Sequence, residues 1–175
     1  MFGSSRPKEG DADYADARLL GVGLARAGFV VCSGGYGGVM EAVSRGAKEA
    51  GGKTYGVTAE LFKPKANAWV DVEVRMKTWQ ERLFELIRLA DGFVACKGGT
   101  GTLVELAVVW EMLNKSVMEG KPFAVVGDFW TPILERVREV ELGHPAPWGE
   151  SNGRLVHTAN SLEEAVSHLV AKLRA

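Results

Sequence analysis

The chain has 175 residues, 46% of them hydrophobic and 25% charged, which is the composition and length of a single globular domain. Its formal net charge of −1 argues against non-specific binding to nucleic acid or to an anionic membrane surface, because both need an excess of Lys and Arg. The longest apolar run, Leu106 to Trp110, is shorter than a signal-peptide core and far shorter than the roughly 20 residues of a transmembrane helix.

The first half of the chain predicts a helix followed by two strands. The helix carries its small and apolar residues on one face, and these are Tyr14, Ala17, Leu20, Gly21 and Leu24. Gly28 is a typical residue for the end of such a helix. Short apolar runs at residues 29–32 and 55–57 predict strands that are buried on both faces. Residues 59–76 show no regular pattern.

The second half predicts four helices and two more strands. A capping box of Thr78 and Glu81 marks the start of one helix, and the strand at residues 93–96 follows it. Leu103, Leu106 and Trp110 share a face of the next helix, and residues 123–126 form another predicted strand. Two further helices begin near Pro132, which suits a first helical position, and at Ser161, which is followed by Glu164 three residues later. Residues 141–153 are expected to form a loop.

Strands and helices therefore alternate, which is typical of βαβ units with right-handed crossovers. We predict an α/β fold, namely a Rossmann-like, doubly wound parallel sheet with helices on both faces. Residues 1–175 are expected to form one nucleotide-binding domain of this kind, since no linker, repeat or low-complexity segment divides them.

Glycine is unusually frequent, with 22 of 175 residues or about 13%, against roughly 7% on average. The glycines cluster directly after two predicted strands, at residues 33–38 and 97–102. In a parallel sheet these loops lie at the carboxyl edge, where ligands bind and where helix N-termini attract anions. The candidate phosphate-binding residues are Gly34, Gly35, Gly37, Lys97, Gly98, Gly99, Thr100, Gly101 and Thr102. The plainer interpretation is that these glycines only allow the chain to make tight turns and do not contact a ligand.

Neither loop carries a familiar nucleotide fingerprint. The dinucleotide pattern G-x-G-x-x-G would need Gly where Met40 and Val104 stand, which argues against a nicotinamide dehydrogenase. A P-loop fails as well, because Gly46 stands one residue too far from Gly52-Lys53-Thr54 and the segment runs from a helix into a strand.

Arg82 and Glu105 are the candidate catalytic residues. Glu105 follows the second glycine loop by about one helical turn, where a carboxylate can reach a sugar hydroxyl or a developing cation. Thr102 and Glu105 also have the spacing of a capping box, so a purely structural role is possible for Glu105. Arg82 lies off the apolar stripe of its helix, and a solvated surface position is the plainer interpretation of it.

Metal binding and covalent catalysis have little support in the sequence. Cys32 and Cys96 suit buried thiols at strand ends, and two cysteines are too few for a disulfide scaffold or a structural zinc site. The three histidines, His144, His157 and His168, are scattered without ligand spacing. We therefore expect no metal and no cofactor, in a protein of the reducing cytoplasm.

At these residues the chain resembles the LOG ("lonely guy") family of cytokinin-activating phosphoribohydrolases, often labelled lysine decarboxylases. The family motif P-G-G-x-G-T-x-x-E is similar to the stretch Lys97-Gly98-Gly99-Thr100-Gly101-Thr102-Leu103-Val104-Glu105. Arg82 matches the upstream family arginine, and Gly3 to Ser5 resemble the first-strand loop. The resemblance covers roughly residues 2–140.

The resemblance implies hydrolysis of the N-glycosidic bond of a nucleoside 5′-monophosphate, which releases the base and ribose 5-phosphate without a cofactor. It implies that Ser4 and residues 98–102 contact the phosphorylated ligand, that Glu105 stabilises an oxocarbenium-like transition state and that Arg82 orients Glu105 or the phosphate. It also implies a homodimer or higher homo-oligomer, with the motif helices near the subunit interface.

A second function stays open. Lys97 replaces the motif proline, Val104 replaces a second Glu, and residues 33–42 resemble a divergent branch that includes the molybdenum-cofactor carrier proteins. That branch implies a binding protein for a phosphorylated ligand such as a pterin cofactor, with no cleavage. A pure assembly module is disfavoured, because the two glycine loops would then have no purpose.

The first strand is expected to be nearly absent from the sequence. The resemblance places Gly3 to Ser5 in a loop, so that only Met1 and Phe2 remain for what should be a central strand. We expect these two residues to be the tail of that strand, truncated by numbering or by a mis-assigned start. Closure of the gap by neighbouring strands, or a short edge strand, is the alternative.

Overall fold

In the computed structural model, which describes residues 1–62, 64–118, 120–143 and 154–174, parallel strands alternate with helices except between the second and third strands. This confirms the predicted α/β, Rossmann-like fold. The strands are β1 (Val31–Ser33), β2 (Thr54–Ala59), β3 (Val72–Met76), β4 (Phe93–Ala95), β5 (Phe123–Val126) and β6 (Val156–Ala159). The helices are α1 (Ala12–Arg26), α2 (Val39–Glu49), α3 (Trp79–Leu89), α4 (Thr100–Asn114), α5 (Thr131–Leu142) and α6 (Leu162–Leu173).

Residues 1–2 connect two groups of three parallel strands. One group has the order β1-β2-β3 and the other β4-β5-β6. Phe2 pairs in parallel with Ala95, since its N–H donates to Val94 and its carbonyl accepts from Cys96, at 2.9 Å each. On the other side, the Met1 amino group donates to the carbonyl of Cys32 at 2.9 Å. Met1 and Phe2 thus occupy the central position expected of them, between β1 and β4.

Helices cover both faces of the sheet. On one face, side chains of α3 and α4 pack on the sheet around Phe2, and this cluster includes Leu86, Leu106 and Trp110. On the other face, α1, α2 and α6 contribute buried residues such as Leu20, Val43 and Leu169. The rings of Phe2, Phe93 and Phe123 contact one another at centroid distances of 5.8–6.4 Å, which fixes the centre of the sheet. Within the described residues, no helix is long and apolar enough to cross a membrane.

Two strands were not predicted, and both lie at the ends of the strand order. β3 falls inside residues 59–76, where no pattern was expected, because it is an edge strand whose Glu73 and Arg75 face outward and give no apolar run. β6 is partly exposed and carries His157 and Thr158 between its buried ends. The predicted start of the loop at 141–153 is also wrong, since α5 extends to Leu142. Residues 144–153, with His144, lie outside the described residues.

Glycines allow the close approach of α1 and α2. A Cβ atom on Gly21 would overlap the carbonyl oxygen of Val43, and one on Gly46 would overlap the carbonyl oxygen of Arg18. Backbone therefore packs directly on backbone at this crossing. Gly23, only two residues further along α1, differs, because its Cβ would meet only a methyl group of Val166, at 3.2 Å.

We expect Gly21→Ala to lower the free energy of unfolding by about 1–3 kcal/mol, because the added methyl forces the two helices apart. Helix propensity alone would predict the opposite, a gain of up to about 1 kcal/mol. Gly23→Ala is the matched control in the same helix and should change stability by less than about 1 kcal/mol. Urea denaturation measures both. Equal effects of the two substitutions would contradict the proposed backbone contact.

Candidate functional site

A cavity of ≈ 1290 Å³ opens at the carboxyl edge of the sheet. Its walls come from the loops that follow residues 1–2, β1, β2 and β4, together with the first turns of α1 to α4. The polar and charged lining residues include Ser4, Arg6, Asp11, Asp13, Lys65, Asn67, Arg82, Lys97, Thr100, Thr102 and Glu105. Apolar and aromatic lining residues include Tyr36, Met40, Leu61, Phe62, Trp79 and Phe129. The cavity lining therefore combines polar, charged and aromatic side chains.

The N-terminus of α4 forms the polar end of the cavity. Gly99 occupies the N-cap position and supplies no capping side chain, and the first intrahelical bond runs from the Leu103 N–H to the Gly99 carbonyl, at 3.0 Å. The N–H groups of Thr100, Gly101 and Thr102 therefore have no partner inside the helix. Such groups at a helix N-terminus favour an anion. The predicted capping box is wrong, since α4 begins at Thr100 and not after Thr102, which places Glu105 in the second turn.

Gly98 and the pair Gly99 and Gly101 differ in the space around their Cα atoms. A Cβ on Gly98 would overlap the side chain of Thr102, so packing within the protein requires Gly98. A Cβ on Gly99 or Gly101 would meet no atom within 4 Å. Gly101 lies inside a helix, where glycine costs up to about 1 kcal/mol relative to alanine. The space that Gly99 and Gly101 leave open lies beside the unpartnered N–H groups, where a ligand can approach the backbone.

Arg82 is buried and held on several sides, unlike the solvated residue of the plainer interpretation. It is 6% exposed, and its Nε donates to the Val57 carbonyl at 2.8 Å while its Nη2 donates to the Gly34 carbonyl at 3.1 Å. Its Nη1 lies 3.9 Å from Oε1 of Glu105. The Tyr36 ring covers the guanidinium, with the Arg82 Cζ 5.4 Å from the ring centroid. Burial lowers the pKa of Arg82 and Glu105 raises it, and a guanidinium stays charged in this setting.

Glu105 extends from α4 toward Arg82, and its side chain is 15% exposed. Burial raises the pKa of Glu105 to about 7, while the nearby Arg82 charge acts to lower it. Near neutral pH the carboxyl group is thus close to its midpoint of ionisation. This places a titrating acid and a fixed cation together on the cavity wall, an arrangement that is typical of functional sites.

The first glycine loop, residues 33–38, contributes less to the cavity than predicted. Gly37 lines the cavity, but Gly34 and Gly35 are buried behind it. The Gly34 carbonyl binds Arg82, and the Gly35 carbonyl accepts from the Asn67 N–H at 2.7 Å. The φ angle of Gly35 is +75°, a conformation that glycine adopts without strain. Gly34 and Gly35 thus hold the wall in place, and direct ligand contact by either stays a prediction.

Tyr36 and Asn67 are cavity residues that the sequence reasoning missed. The Tyr36 hydroxyl accepts from the Ala59 N–H at 2.9 Å and donates to the Ala59 carbonyl at 3.3 Å. The Asn67 amide donates to the Tyr36 carbonyl at 2.9 Å. Tyr36 stands among four glycines, and an aromatic residue in so tight a loop is a signal that could have found it.

Ser4 and Lys97 both line the cavity, and their backbones are joined. The Ser4 N–H donates to the Lys97 carbonyl at 3.2 Å, and the Ser4 hydroxyl accepts from the Arg6 N–H at 3.1 Å. The Lys97 ammonium lies 3.2 Å from the carboxylate of Asp13. The structure therefore brings Ser4, Gly37, Arg82, Glu105 and residues 97–102 to one cavity.

The cavity lining includes neither of the two cysteines and neither of the described histidines, His157 and His168. Burial raises the pKa of Cys32, and it raises that of Cys96 to about 12, which makes both poor nucleophiles. His157 and His168 are not scattered, because their rings stack at 4.3 Å, and His157 also contacts Glu164 at 2.9 Å. Within the described parts of the chain, no group of three or more His, Cys, Asp or Glu is placed to hold a metal ion.

A parallel, Rossmann-like α/β fold that carries the motif at residues 97–105 is the architecture expected of LOG-like proteins. The sequence profile of the SLOG cluster4 family matches residues 1–135, and the chain belongs to that family. The resemblance inferred from the motif at residues 97–105 is thereby confirmed.

Two curated relatives are phosphoribohydrolases by name. The cytokinin riboside 5′-monophosphate phosphoribohydrolase LOG of Oryza sativa subsp. japonica is 35% identical over 131 residues, which are 70% of this chain and 53% of that protein. The cytokinin riboside 5′-monophosphate phosphoribohydrolase of Mycobacterium marinum is 35% identical over 115 residues, 61% of this chain and 62% of that protein. The chain thus spans 53% of the length of the first relative and 62% of the length of the second.

One solved structure with the same fold is named as a binding protein and not as a hydrolase. The molybdenum cofactor binding protein of Rippkaea orientalis superposes with a TM-score of 0.77 at 25% identity, covering 100% of this chain and 94% of that one. The chain therefore has sequence relatives that are named as hydrolases, and it shares its fold with a protein that is named as a cofactor-binding protein.

The raised pKa of Glu105 predicts a pH-dependent difference in stability between the wild type and Glu105→Gln. Below pH 4.5 the carboxyl is protonated in the folded and the unfolded chain alike. As the pH rises from 4.5 to about 7, the unfolded chain releases this proton while the folded chain keeps it, so the wild type loses stability that the glutamine variant retains, and the loss is complete once Glu105 ionises in the folded state. We expect Glu105→Gln to gain on the order of 1–3 kcal/mol over the wild type between pH 5 and pH 8.

Urea denaturation at the two pH values measures this gain. Glu111→Gln, which removes a 58%-exposed carboxylate from the same helix, controls for the loss of a surface charge. A difference between Glu105→Gln and the wild type that is the same at pH 5 and pH 8 would contradict the raised pKa.

Proposed function

We propose that this protein is a nucleoside 5′-monophosphate phosphoribohydrolase, which cleaves the N-glycosidic bond to give the free base and ribose 5-phosphate. The observation that carries the proposal is the Glu105 carboxylate, set 3.9 Å from the buried Arg82 and on the same α4 helix as the uncapped N-terminus. A group that can stabilise a sugar cation and a group that can hold a phosphate thus share one rigid element. Two relatives named as such hydrolases support the reaction class.

In this proposal the 5′-phosphate binds at the N-terminus of α4. The N–H groups of Thr100, Gly101 and Thr102 supply donors, and Gly99 and Gly101 leave space for the phosphate oxygens. Ser4 and Gly37 face the same space from neighbouring loops. Because Glu105 is only one turn further along α4, a phosphate bound there brings the attached ribose toward the carboxylate.

In the reaction, the bond between C1′ and the base nitrogen breaks with its electron pair moving to the base. Positive charge develops on the ribose ring, and the Glu105 carboxylate stabilises it. Water forms the new bond to C1′, and one of its protons leaves to the released base. Arg82 does not need to touch the substrate, since its bonds to Val57 and Gly34 fix it as a positioning residue for Glu105. No cofactor takes part in this scheme.

Binding without cleavage is the second candidate function. The cavity of ≈ 1290 Å³ exceeds the 300–1,000 Å³ that is common for small-ligand sites, so it can admit a ligand larger than a nucleoside monophosphate. The likeness to a molybdenum cofactor binding protein over the whole chain supports this alternative. In that case residues 98–102 would hold the phosphate of a pterin ligand, and Glu105 would have no catalytic part.

We also propose that the protein acts as a homodimer in the cytoplasm, with the outer face of α4 against a second copy. Ala107 on this face is exposed, Val104 and Val108 are only half-buried, and Phe84 of α3 is 53% exposed. Exposed apolar surface of this kind favours contact with another protein surface. The second copy is the occupant we favour, because Val104, Ala107 and Val108 leave apolar surface on the outer side of α4 while its inner side already packs in the core.

For the dimer, we expect Ala107→Arg to shift the mass measured by light scattering from dimer to monomer, since a buried unpaired charge at the interface is costly. Arg substituted for Ala15, an exposed alanine of α1, is the matched control and should leave the mass unchanged. A wild type that is already monomeric would refute this interface.

The hydrolysis is tested by incubating the protein with AMP and other nucleoside monophosphates and measuring the free base. We expect Glu105→Gln to lower the rate of base release by on the order of 100-fold or more, because the charge that stabilises the sugar cation is lost. Glu111→Gln should retain full activity. For the wild type, kcat/KM should rise with pH through about 7 as Glu105 ionises.

Two results would reject the hydrolase. Base release by Glu105→Gln at the wild-type rate would show that Glu105 is not catalytic. Tight binding of phosphorylated ligands by the wild type with no base released from any of them would favour the carrier function.

A further inference from the structure

The ion pair of Lys97 and Asp13 lies on the wall of the candidate cavity. The Lys97 Nζ is 3.2 Å from Oδ2 of Asp13, and both residues line the cavity. Lys97 immediately precedes residues 98–102, where the proposed phosphate would bind. Asp13 belongs to the first turn of α1, so the pair joins the loop after β4 to a different helix.

The two residues are anchored at the backbone and free at the side chain. The Lys97 carbonyl accepts from the Ser4 N–H at 3.2 Å, which fixes the start of its side chain beside the central residues of the sheet. Asp13 is fixed by its helix, in which the neighbouring Tyr14 is buried. The side chains themselves are 56% and 42% exposed, so a change of rotamer meets little obstruction.

Two other charged residues of the cavity lining, Arg82 and Asp11, have partners of their own. Arg82 is bound to two backbone carbonyls and faces Glu105. A carboxylate oxygen of Asp11 accepts from the Lys8 N–H at 2.8 Å. Lys97 is therefore a cation beside the α4 N-terminus whose partner, Asp13, is an exposed carboxylate that water can replace. An anion at residues 98–102 would attract Lys97 and repel Asp13 at the same time.

We propose that Asp13 is a specificity-determining residue, which holds the Lys97 ammonium in the ligand-free protein and releases it to a phosphate group that binds at residues 98–102. This inference rests on the proposed function only in requiring a phosphorylated ligand. The exchange makes the site selective between anions, because only a ligand with a strong negative charge draws Lys97 away from Asp13 and replaces the ion pair that is lost. A sugar without a phosphate leaves the ion pair intact and gains nothing from Lys97.

Single substitutions have opposite expected effects on the binding of ribose 5-phosphate, measured by calorimetry. Asp13→Asn should tighten binding roughly two- to fivefold at low salt, the range that exposed ion pairs contribute, and less at high salt. Lys97→Met should weaken binding. Asp16→Asn removes a charge from an exposed position of the same helix, outside the cavity lining, and should change affinity less than Asp13→Asn does.

The double variant Asp13→Asn, Lys97→Met decides between exchange and the alternatives. If Lys97 passes from Asp13 to the phosphate, the gain from Asp13→Asn is larger with Lys97 present than with Met in its place. A larger gain in the absence of Lys97 would mean that Lys97 bridges both anions and shields their repulsion. Either that result or equal gains in both backgrounds overturns the proposal, as does a failure of all variants to bind ribose 5-phosphate.

Base release from AMP by the wild type, measured in parallel, separates this inference from the hydrolase proposal. If AMP is hydrolysed but Asp13 and Lys97 show no coupling, the hydrolase proposal stands and the exchange of Lys97 is rejected. If the two residues are coupled but AMP is not hydrolysed, the exchange stands in a protein that only binds its ligand.

Discussion

The buried guanidinium of Arg82 connects the parts from which the cavity is built. Its hydrogen bonds reach the carbonyls of Val57 at the middle of β2 and of Gly34 in the loop after β1, and its remaining nitrogen faces Glu105 on α4. A charge that is 6% exposed is stable only when such partners surround it. The same contacts therefore satisfy the charge and hold three separate segments in a fixed arrangement. The position of Glu105 and the shape of the first glycine loop both depend on this residue.

The placement of the site follows from the direction of the strands. All pairings within the described strands are parallel, so the loops after residues 1–2, β1, β2 and β4 leave the sheet at one edge. Helices begin just beyond that edge, and their N-terminal N–H groups point toward it. Ligand chemistry at this edge does not need residues that are close in sequence. Arg82 and Glu105 come from α3 and α4, while Tyr36 comes from the loop before α2.

The sequence was sufficient for the alternation of strands and helices, because buried parallel strands are short apolar runs and the helices have clear apolar faces. It was insufficient for β3 and β6, whose exposed and polar residues depend on neighbours for their pairing. Arg82 was recognised through its resemblance to a family arginine, yet its burial comes from the packing of Tyr36 and the bonds to distant carbonyls. The capping box expected for Thr102 and Glu105 failed because the helix has its N-cap at Gly99, three residues earlier. Spacing alone could not distinguish a cap from a carboxylate that faces an arginine.

The central position of residues 1–2 has a consequence for the order in which the sheet assembles. Phe2 pairs with Ala95, and Met1 bonds to Cys32, so the middle of the sheet is closed by contacts between residues far apart along the chain. β1 to β3 can pair with one another through local crossovers, as can β4 to β6, before these contacts exist. Contacts of such long sequence separation are slow to form, because the loops that close must lose entropy first. We therefore expect the two half-sheets to form first and to meet around Phe2. The cavity, whose walls come from both halves, would then be completed last.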